Sequence, residues 1–265
     1  MIEDPAWQQM GEHGVLADIP VHLLAGTGST NTVAIDLAKD GSPAYTVVAA
    51  ESQSEGRGRL GKSWQSPPGT GLYFSIILRP DLAPEDLPKI TLTAGLAVCL
   101  AVEKITNLAL MIKWPNDLLL DGRKLGGILA ETVNGHGHRT AVVLGIGLNV
   151  NSPTTAFPAD LQDKATSLLI HTGNEYRRSE LLTSIVTEVK KMVGRFERDG
   201  FADILNEWRQ RDATLGQELA WVAQSGELVR GVSLGPDDNG QLLIKDRLGR
   251  IHEVLSGDIN LAKVG

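Results

Sequence analysis

The chain has 265 residues, 42 % of them hydrophobic and 22 % charged, with a formal net charge of −7. That length can bury a sizeable core, in one large domain or two smaller ones, and the composition is ordinary for a globular protein. The acidic balance argues against broad electrostatic binding to nucleic acid, which requires a basic face. No segment reaches the ~20 apolar residues of a membrane span. Residues 1–10 carry Glu3 and Asp4 and no apolar run, so they do not read as a signal peptide. A cytoplasmic protein with no nucleic-acid or membrane partner is expected. The single cysteine, Cys99, lies in an apolar run and reads as a core residue, which fits a reducing compartment.

In chain order, residues 1–20 lack clear periodicity and read as an N-terminal arm. Regular structure is expected from about residue 21. Gly26 to Thr30 then opens a helix over about 31–38, where hydroxyls and small residues suit the capping of exposed backbone N–H groups. Residues 44–50 read as a buried strand. Residues 53–70 hold many Gly, Ser and charged residues and read as a long loop; such loops in compact domains are often functional. Residues 72–78 read as a strand and 90–106 as an apolar helix. Strands are expected over 110–113, 118–121, 124–133 and 140–149, with a hairpin tip at Asn134 to His138. His136 and His138 in that tip read as a solvated turn rather than a metal site, because no cysteine or carboxylate accompanies them. Residues 179–199 form the clearest amphipathic helix, and a second helix covers 201–210. After about 213, short strand-like segments alternate with turn signals at Ser225-Gly226, Asp238-Asn239-Gly240 and Leu248-Gly249. That spacing predicts a small antiparallel barrel.

Four strings carry chemistry. The first is Gly56-Arg57-Gly58-Arg59-Leu60-Gly61-Lys62-Ser63-Trp64, preceded by Gln53, where cations alternate with glycines in an acidic chain. Glycine allows close backbone approach to a ligand, and arginine offers a planar charged fork to phosphate or carboxylate. Trp64 is suited either to anchoring the loop or to covering a ring. By itself the string also fits a flexible basic loop. A Walker-type phosphate loop, which leads directly into a helix, is not read here. The second string is Lys113-Trp114-Pro115-Asn116-Asp117 with Lys124-Leu125-Gly126-Gly127 after it. Glycine within a strand often marks ligand approach, although solvated lysines on a surface hairpin fit equally well. The third, Gly145 to Asn151, is a strand end. The fourth, Gly28-Ser29-Thr30-Asn31, is by itself a helix cap.

Together and in this order, these strings resemble the bacterial biotin protein ligase family, in the short form without a DNA-binding domain. The resemblance covers roughly residues 22–260. It implies an α+β fold: a mixed β-sheet catalytic domain backed by helices over 21–213, then a small SH3-like β-barrel over 214–265. It also implies ATP-dependent conversion of biotin to biotinyl-5′-AMP, with Mg²⁺ accompanying ATP, and transfer of biotin to a lysine of a biotin carboxyl carrier protein. By similarity Ser29, Thr30, Asn31, Gln53, Arg57, Gly58, Arg59, Lys124 and Gly127 bind biotin. Arg57, Arg59, Trp64, Lys113, Asn116, Lys124 and Asn149 are expected to bind ATP, with Lys124, Arg59 and Asp117 as catalytic groups. Many relatives have arginine where this chain has Leu60 and Lys62. Only about 20 residues precede the catalytic region, too few for a helix-turn-helix, so a repressor role is not expected. Relatives are often homodimers, and a homodimer is possible here. Lipoate ligase is the nearest alternative; a non-catalytic binding module and a nucleic-acid regulator are further ones.

Overall fold

The computed structural model describes residues 4, 5, 7, 14–16, 18–134, 140–222, 228–254 and 259–261. The expected hairpin tip with His136 and His138 lies outside them. At the centre is an eight-stranded sheet in the order β1-β2-β3-β4-β8-β7-β6-β5. Its strands are β1 (Gly14–Leu16), β2 (Ile19–Leu24), β3 (Val47–Ala50), β4 (Gly71–Leu78), β5 (Met111–Lys113), β6 (Asp117–Leu120), β7 (Arg123–Val133) and β8 (Ala141–Asn149). β2 and β3 run parallel and every other neighbouring pair is antiparallel, so the sheet is mixed, as expected.

Strands covered on both faces read as unbroken apolar runs, and β3 and β4 are buried at every position. Successive side chains still point to opposite faces. Ala49, Phe74, Ile76, Leu144, Ile146 and Leu148 join the main core with helices α2 (Ile90–Thr106), α4 (Arg178–Asp199) and α5 (Ala202–Arg209). Val48, Ile77, Val143 and Val133 instead meet Ala34 and Ala38 of α1 (Thr30–Lys39) on the other face. The apolar stripe expected on α4, from Leu181 to Phe196, is buried. Cys99 is buried in α2, and burial pushes its thiol up to about 12.

Three differences from the sequence reading have local causes. The strand expected over 44–50 starts only at Val47, because Tyr45 takes a left-handed backbone at φ 66°. The turn between β6 and β7 is Asp121-Gly122, both at positive φ, the geometry a two-residue hairpin needs. A five-residue helix, α3 (Leu168–Thr172), was not expected, being too short to show a period; the Ser167 hydroxyl caps it by accepting from Ile170 N at 3.0 Å.

The N-terminal segment departs most from expectation. Among the described residues β1 is the first strand, and Trp7, which precedes it, belongs to the main core. Asp4 accepts from Ser179 N at 2.9 Å, capping α4 across 175 residues of sequence. Trp7 is 2 % exposed, donates its indole N–H to Glu51, and lies 4.7 Å below the Arg178 guanidinium. Arg178 in turn forks onto Glu51 at 2.9 and 3.0 Å. Burial pushes the Glu51 carboxyl up, but these donors outweigh it and the net shift is downward. Local period says nothing of such contacts, because they are long-range.

The C-terminal strands β9 (Glu218–Val222), β10 (Leu228–Pro236), β11 (Leu242–Asp246), β12 (Ile251–Val254) and β13 (Ile259–Leu261) form an antiparallel sheet in the order β12-β11-β10-β9-β13. Among the described pairings β12 and β13 are its two edges, so the expected barrel takes the form of a five-stranded sheet. Two of the expected turns are present, with Gly240 and Gly249 at φ 80° and 81°. The β10–β11 turn is tied to the central sheet by Trp114, whose Nε1 donates to Gly240 O at 2.9 Å.

Trp7→Ala removes a buried indole, and a loss of about 3–5 kcal/mol is expected in urea unfolding. A loss below 1 kcal/mol would mean that the arm adds nothing to the core. At the junction of the two sheets, Asp212 accepts from Thr214 N and Oγ1, both at 2.7 Å, yet burial pushes its carboxyl above the ordinary value. The fold thus favours its protonated form. That stabilisation is fully present below the unfolded-state value and lost as pH rises through the folded value. Asp212→Asn should therefore gain stability on wild type between about pH 4 and pH 7. A constant difference across that range would disprove the shift.

Candidate active site

The sheet face that carries α1 is apolar only in part. Toward β8's C-terminal end the residues continuing the Val143 face are Gly145 and Gly147, and on β7 the one opposite Gly147 is Gly127. A Cβ on Gly145 would stand 2.0 Å from Asn31 Oδ1, and one on Gly147 would stand 2.6 Å from the Trp64 indole. Side chains are excluded there, and the space left is a cavity of about 150 Å³. Ile146 and Leu148, the alternate residues, belong to the core. The run Gly145-Ile146-Gly147-Leu148 is thus one strand with a packed face and a bare one.

Ser29, Thr30 and Asn31 enter the cavity from the first turn of α1. Ser29 is the N-cap residue, but its side chain makes no capping bond. The orphan N–H of Thr30 is satisfied from elsewhere, by Gln53 Oε1 at 2.8 Å, so the expected local cap is a long-range one. Gln53 is itself fixed, because its Nε2 donates to Ser66 Oγ at 2.8 Å. The Asn31 amide is oriented at both ends: Ser75 Oγ lies 2.6 Å from its Oδ1, and its Nδ2 donates to Glu131 Oε2 at 2.8 Å.

The glycine–arginine loop folds as an irregular hairpin. Gln53 bridges Ser66 and Arg57 bridges Ser63. Gly58 N donates to Lys62 O and Trp64 N to Gly56 O, both at 2.7 Å. A Cβ on Gly56 would sit 2.2 Å from Trp64 O, so the strands close only over glycine. The tip turns through Leu60 and Gly61, both at positive φ. Gly56, four residues, then Gly61-Lys62-Ser63 has the spacing of a Walker loop. No helix follows, however, and the Gly58 and Trp64 N–H groups are spent within the hairpin. From this hairpin Arg57, Gly58, Arg59 and Trp64 line the cavity. Arg57 pairs with Glu131 at 2.7 Å, and Arg59 reaches Asn116 Oδ1 at 3.3 Å. The Trp64 indole lies over Gly127 and Gly147, and its buried Nε1 meets no acceptor among the described residues.

The opposite wall comes from β5, β6 and β7. Lys113, Asn116, Asp117, Lys124 and Gly127 all line the cavity. Asn116 is held by exchange with Ile128: its Nδ2 donates to Ile128 O at 2.8 Å and its O accepts from Ile128 N at 3.0 Å. Lys124 is two strand positions from Gly126, which faces Leu118 and Leu148 of the core, and a regular strand would put both on that side. A bulge intervenes: Gly126 pairs with Leu118 and Lys124 with Leu119, leaving Leu125 extra. The bulge re-aims the lysine, whose Nζ comes 3.7 Å from the Cβ position of Gly127. There Lys124 pairs with Asp117 at 2.6 Å and lies 5.6 Å from the centre of the Trp64 ring.

Thirteen of the fourteen residues expected at the site line this cavity. The exception is Asn149, buried at the end of β8 with its Nδ2 donating to Thr166 O at 3.0 Å. Five cations, Arg57, Arg59, Lys62, Lys113 and Lys124, line the cavity with one carboxylate, Asp117. Gly145 and Gly147 are in the third string but read there only as a strand end, and Ser75 and Glu131 are not among the expected site residues. The alternation of glycine with apolar residues at 145–148 was a usable signal for the first two. Ile259, which closes the cavity from β13, carried none. Among the described residues no group of three or more His, Cys, Asp or Glu is placed to hold a metal ion. No described helix is long and apolar enough to cross a membrane.

The profile of the Biotin/lipoate A/B protein ligase family matches residues 24–149. The chain is 34 % identical over 252 residues to the bifunctional ligase/repressor BirA of Bacillus subtilis, covering 95 % of this chain and 75 % of that one. It is 33 % identical over 232 residues to the biotin–[acetyl-CoA-carboxylase] ligase of Paracoccus denitrificans, covering 86 % and 95 %. The fold matches that of the biotin protein ligase from Aquifex aeolicus, solved with biotin and ATP, at a TM-score of 0.79 and 31 % identity, over 91 % of this chain and 97 % of that one. With a bare-floored cationic cavity built from the same strings that carry the sequence resemblance, the chain belongs to the biotin protein ligase family.

Proposed function

We propose that this chain activates biotin with ATP and transfers it to a lysine of a biotin carboxyl carrier protein. The observation that carries the reading is a cavity with hydrogen-bonding groups at one end and cations at the other, joined by a glycine floor. Residues 21–213 form the catalytic unit, and 214–265 a C-terminal unit that lends Ile259. The polar end, Ser29, Thr30, Asn31 and Gln53, suits the ureido ring of biotin, which offers both donors and acceptors. The dithiolane of lipoate offers neither, and this favours biotin between the family's two substrate types.

The chemistry follows from charge. A carboxylate is a weak nucleophile and is repelled by a triphosphate. Arg57, Arg59, Lys113 and Lys124 offset that repulsion and stabilise charge on the α-phosphoryl group. One carboxylate oxygen attacks the α-phosphorus, the bond to the β-phosphate oxygen breaks, and pyrophosphate leaves. Gly58 and Gly127 let the backbone approach the ligand, while Asn116 positions Arg59 and Trp64 covers the ligand. Magnesium would come with ATP and supply neutralisation of phosphate charge, and Asp117 is the one carboxylate lining the cavity that could face it. In the second step the carrier's amine attacks the acyl carbon, the acyl–phosphate bond breaks, AMP leaves and the amine gives up a proton. Asp117 orients the amine as an acceptor once ligand anions compete for Lys124. Asn149 supports the strand end from behind the cavity.

Lys124→Ala should cut biotin-dependent pyrophosphate release by ~10²–10³-fold without loss of fold by circular dichroism. Wild type silent with biotin but active with lipoate would leave the fold standing and change the substrate. Asp117→Asn should slow carrier labelling more than adenylate formation in single-turnover assays. Equal loss in the two steps would remove Asp117 from the transfer step.

A further inference from the structure

Glu131 touches two parts of the site from outside its floor. Its Oε2 accepts from Asn31 Nδ2 at 2.8 Å and from Arg57 NH2 at 2.7 Å. Asn31 belongs to α1 and Arg57 to the loop, so one oxygen on β7 joins the wall that recognises the ligand's head to the strap that covers it. The Asn31 end is buried and bonded at both ends of its amide: Ser75 holds its Oδ1 and Glu131 its Nδ2, and it lies directly against the bare Gly145 backbone. Arg57 is held more loosely, with 40 % of its side chain exposed, and Glu131 keeps 28 %. An exposed ion pair alone contributes little to stability. Its value here lies in position. A carboxylate at the rim of a site for anions works against ligand binding by simple charge, so its presence calls for another role.

We infer that Glu131 is a positioning residue: anchored by Asn31, it holds Arg57, and with it the loop, closed over the acyl-adenylate. This rests on the reading of the cavity as a biotin and ATP site. Loss of the hold opens a path for water, which attacks the acyl carbon; the acyl–phosphate bond breaks, AMP leaves, and the acid is regenerated with release of a proton. Glu131 would therefore act on retention of the intermediate more than on its formation.

The test measures AMP release from ATP and biotin without carrier, alongside pyrophosphate release in a single turnover. Glu131→Gln keeps the shape and one acceptor oxygen but drops the charge. It should raise carrier-independent AMP release several-fold at a near-unchanged rate of adenylate formation and an unchanged melting temperature. Arg57→Gln should leak as well, and the double variant should leak no more than Arg57→Gln alone. If the double variant multiplies the two leaks, Glu131 does not act through Arg57. If Glu131→Gln leaks like wild type, or merely lowers the melting temperature, its role is structural and the inference falls. Should Glu131→Gln not fold, Glu131→Asp, which keeps the charge but shortens the reach, takes its place: a leak supports the hold, and wild-type retention overturns it. Wild type that releases no pyrophosphate with biotin would instead sink the reading of the site, an outcome separate from these.

Discussion

The site depends on one steric condition: where β7 and β8 run side by side beyond the end of α1, the sheet face must carry no side chains. Gly127 and Gly147 face each other in register, and Gly145 follows where Asn31 comes closest. On the same face, a few residues along, Val143, Val133 and Ile77 are packed against α1. The face thus changes from core to cavity within one strand repeat. It does so without weakening the other face, because Ile146 and Leu148 stay buried in the core. A floor of backbone lets a flat ring or an extended chain lie against the sheet, and the Trp64 indole takes that position in this structure.

The second condition is charge. A chain of net charge −7 gathers five cations around one cavity. Such a cluster repels itself in the absence of ligand. Asp117 offsets part of it by pairing with Lys124, and Glu131 another part by pairing with Arg57. The Lys124–Asp117 pair is partly exposed, which keeps it weak enough to yield to an incoming anion. The same carboxylates temper the cavity's attraction for anions and relieve the mutual repulsion of its cations.

Much of this was legible before the fold was known. The glycine–arginine string, the lysines of the KWPND and KLGG runs and the Ser-Thr-Asn turn are local, and each residue type suits its chemistry. The strands and long helices followed from period, as on α4. Long-range contacts were not legible. Nothing near Asp4 or Trp7 announces that one caps α4 and the other lies in the core, because their partners are Ser179, Glu51 and Arg178. Ile259 at the cavity and Gln53 as the cap of α1 are of the same kind.

Residue types read along the chain settle which chemistry is available: which side chains carry permanent charge, which positions leave the backbone bare, and which segments bury one face. Those properties belong to single residues and to their spacing along the chain. Which of them meet is settled by the folded chain. The bulge at Leu125 turns Lys124 toward Gly127, and the pairing of β7 with β8 sets glycine opposite glycine. Glu131 comes within reach of both Asn31 and Arg57, about a hundred and 74 residues away in sequence. Contacts of that separation depend on strand register and on the packing of a helix against a sheet. These are set by burial across the whole core, and no local pattern encodes them.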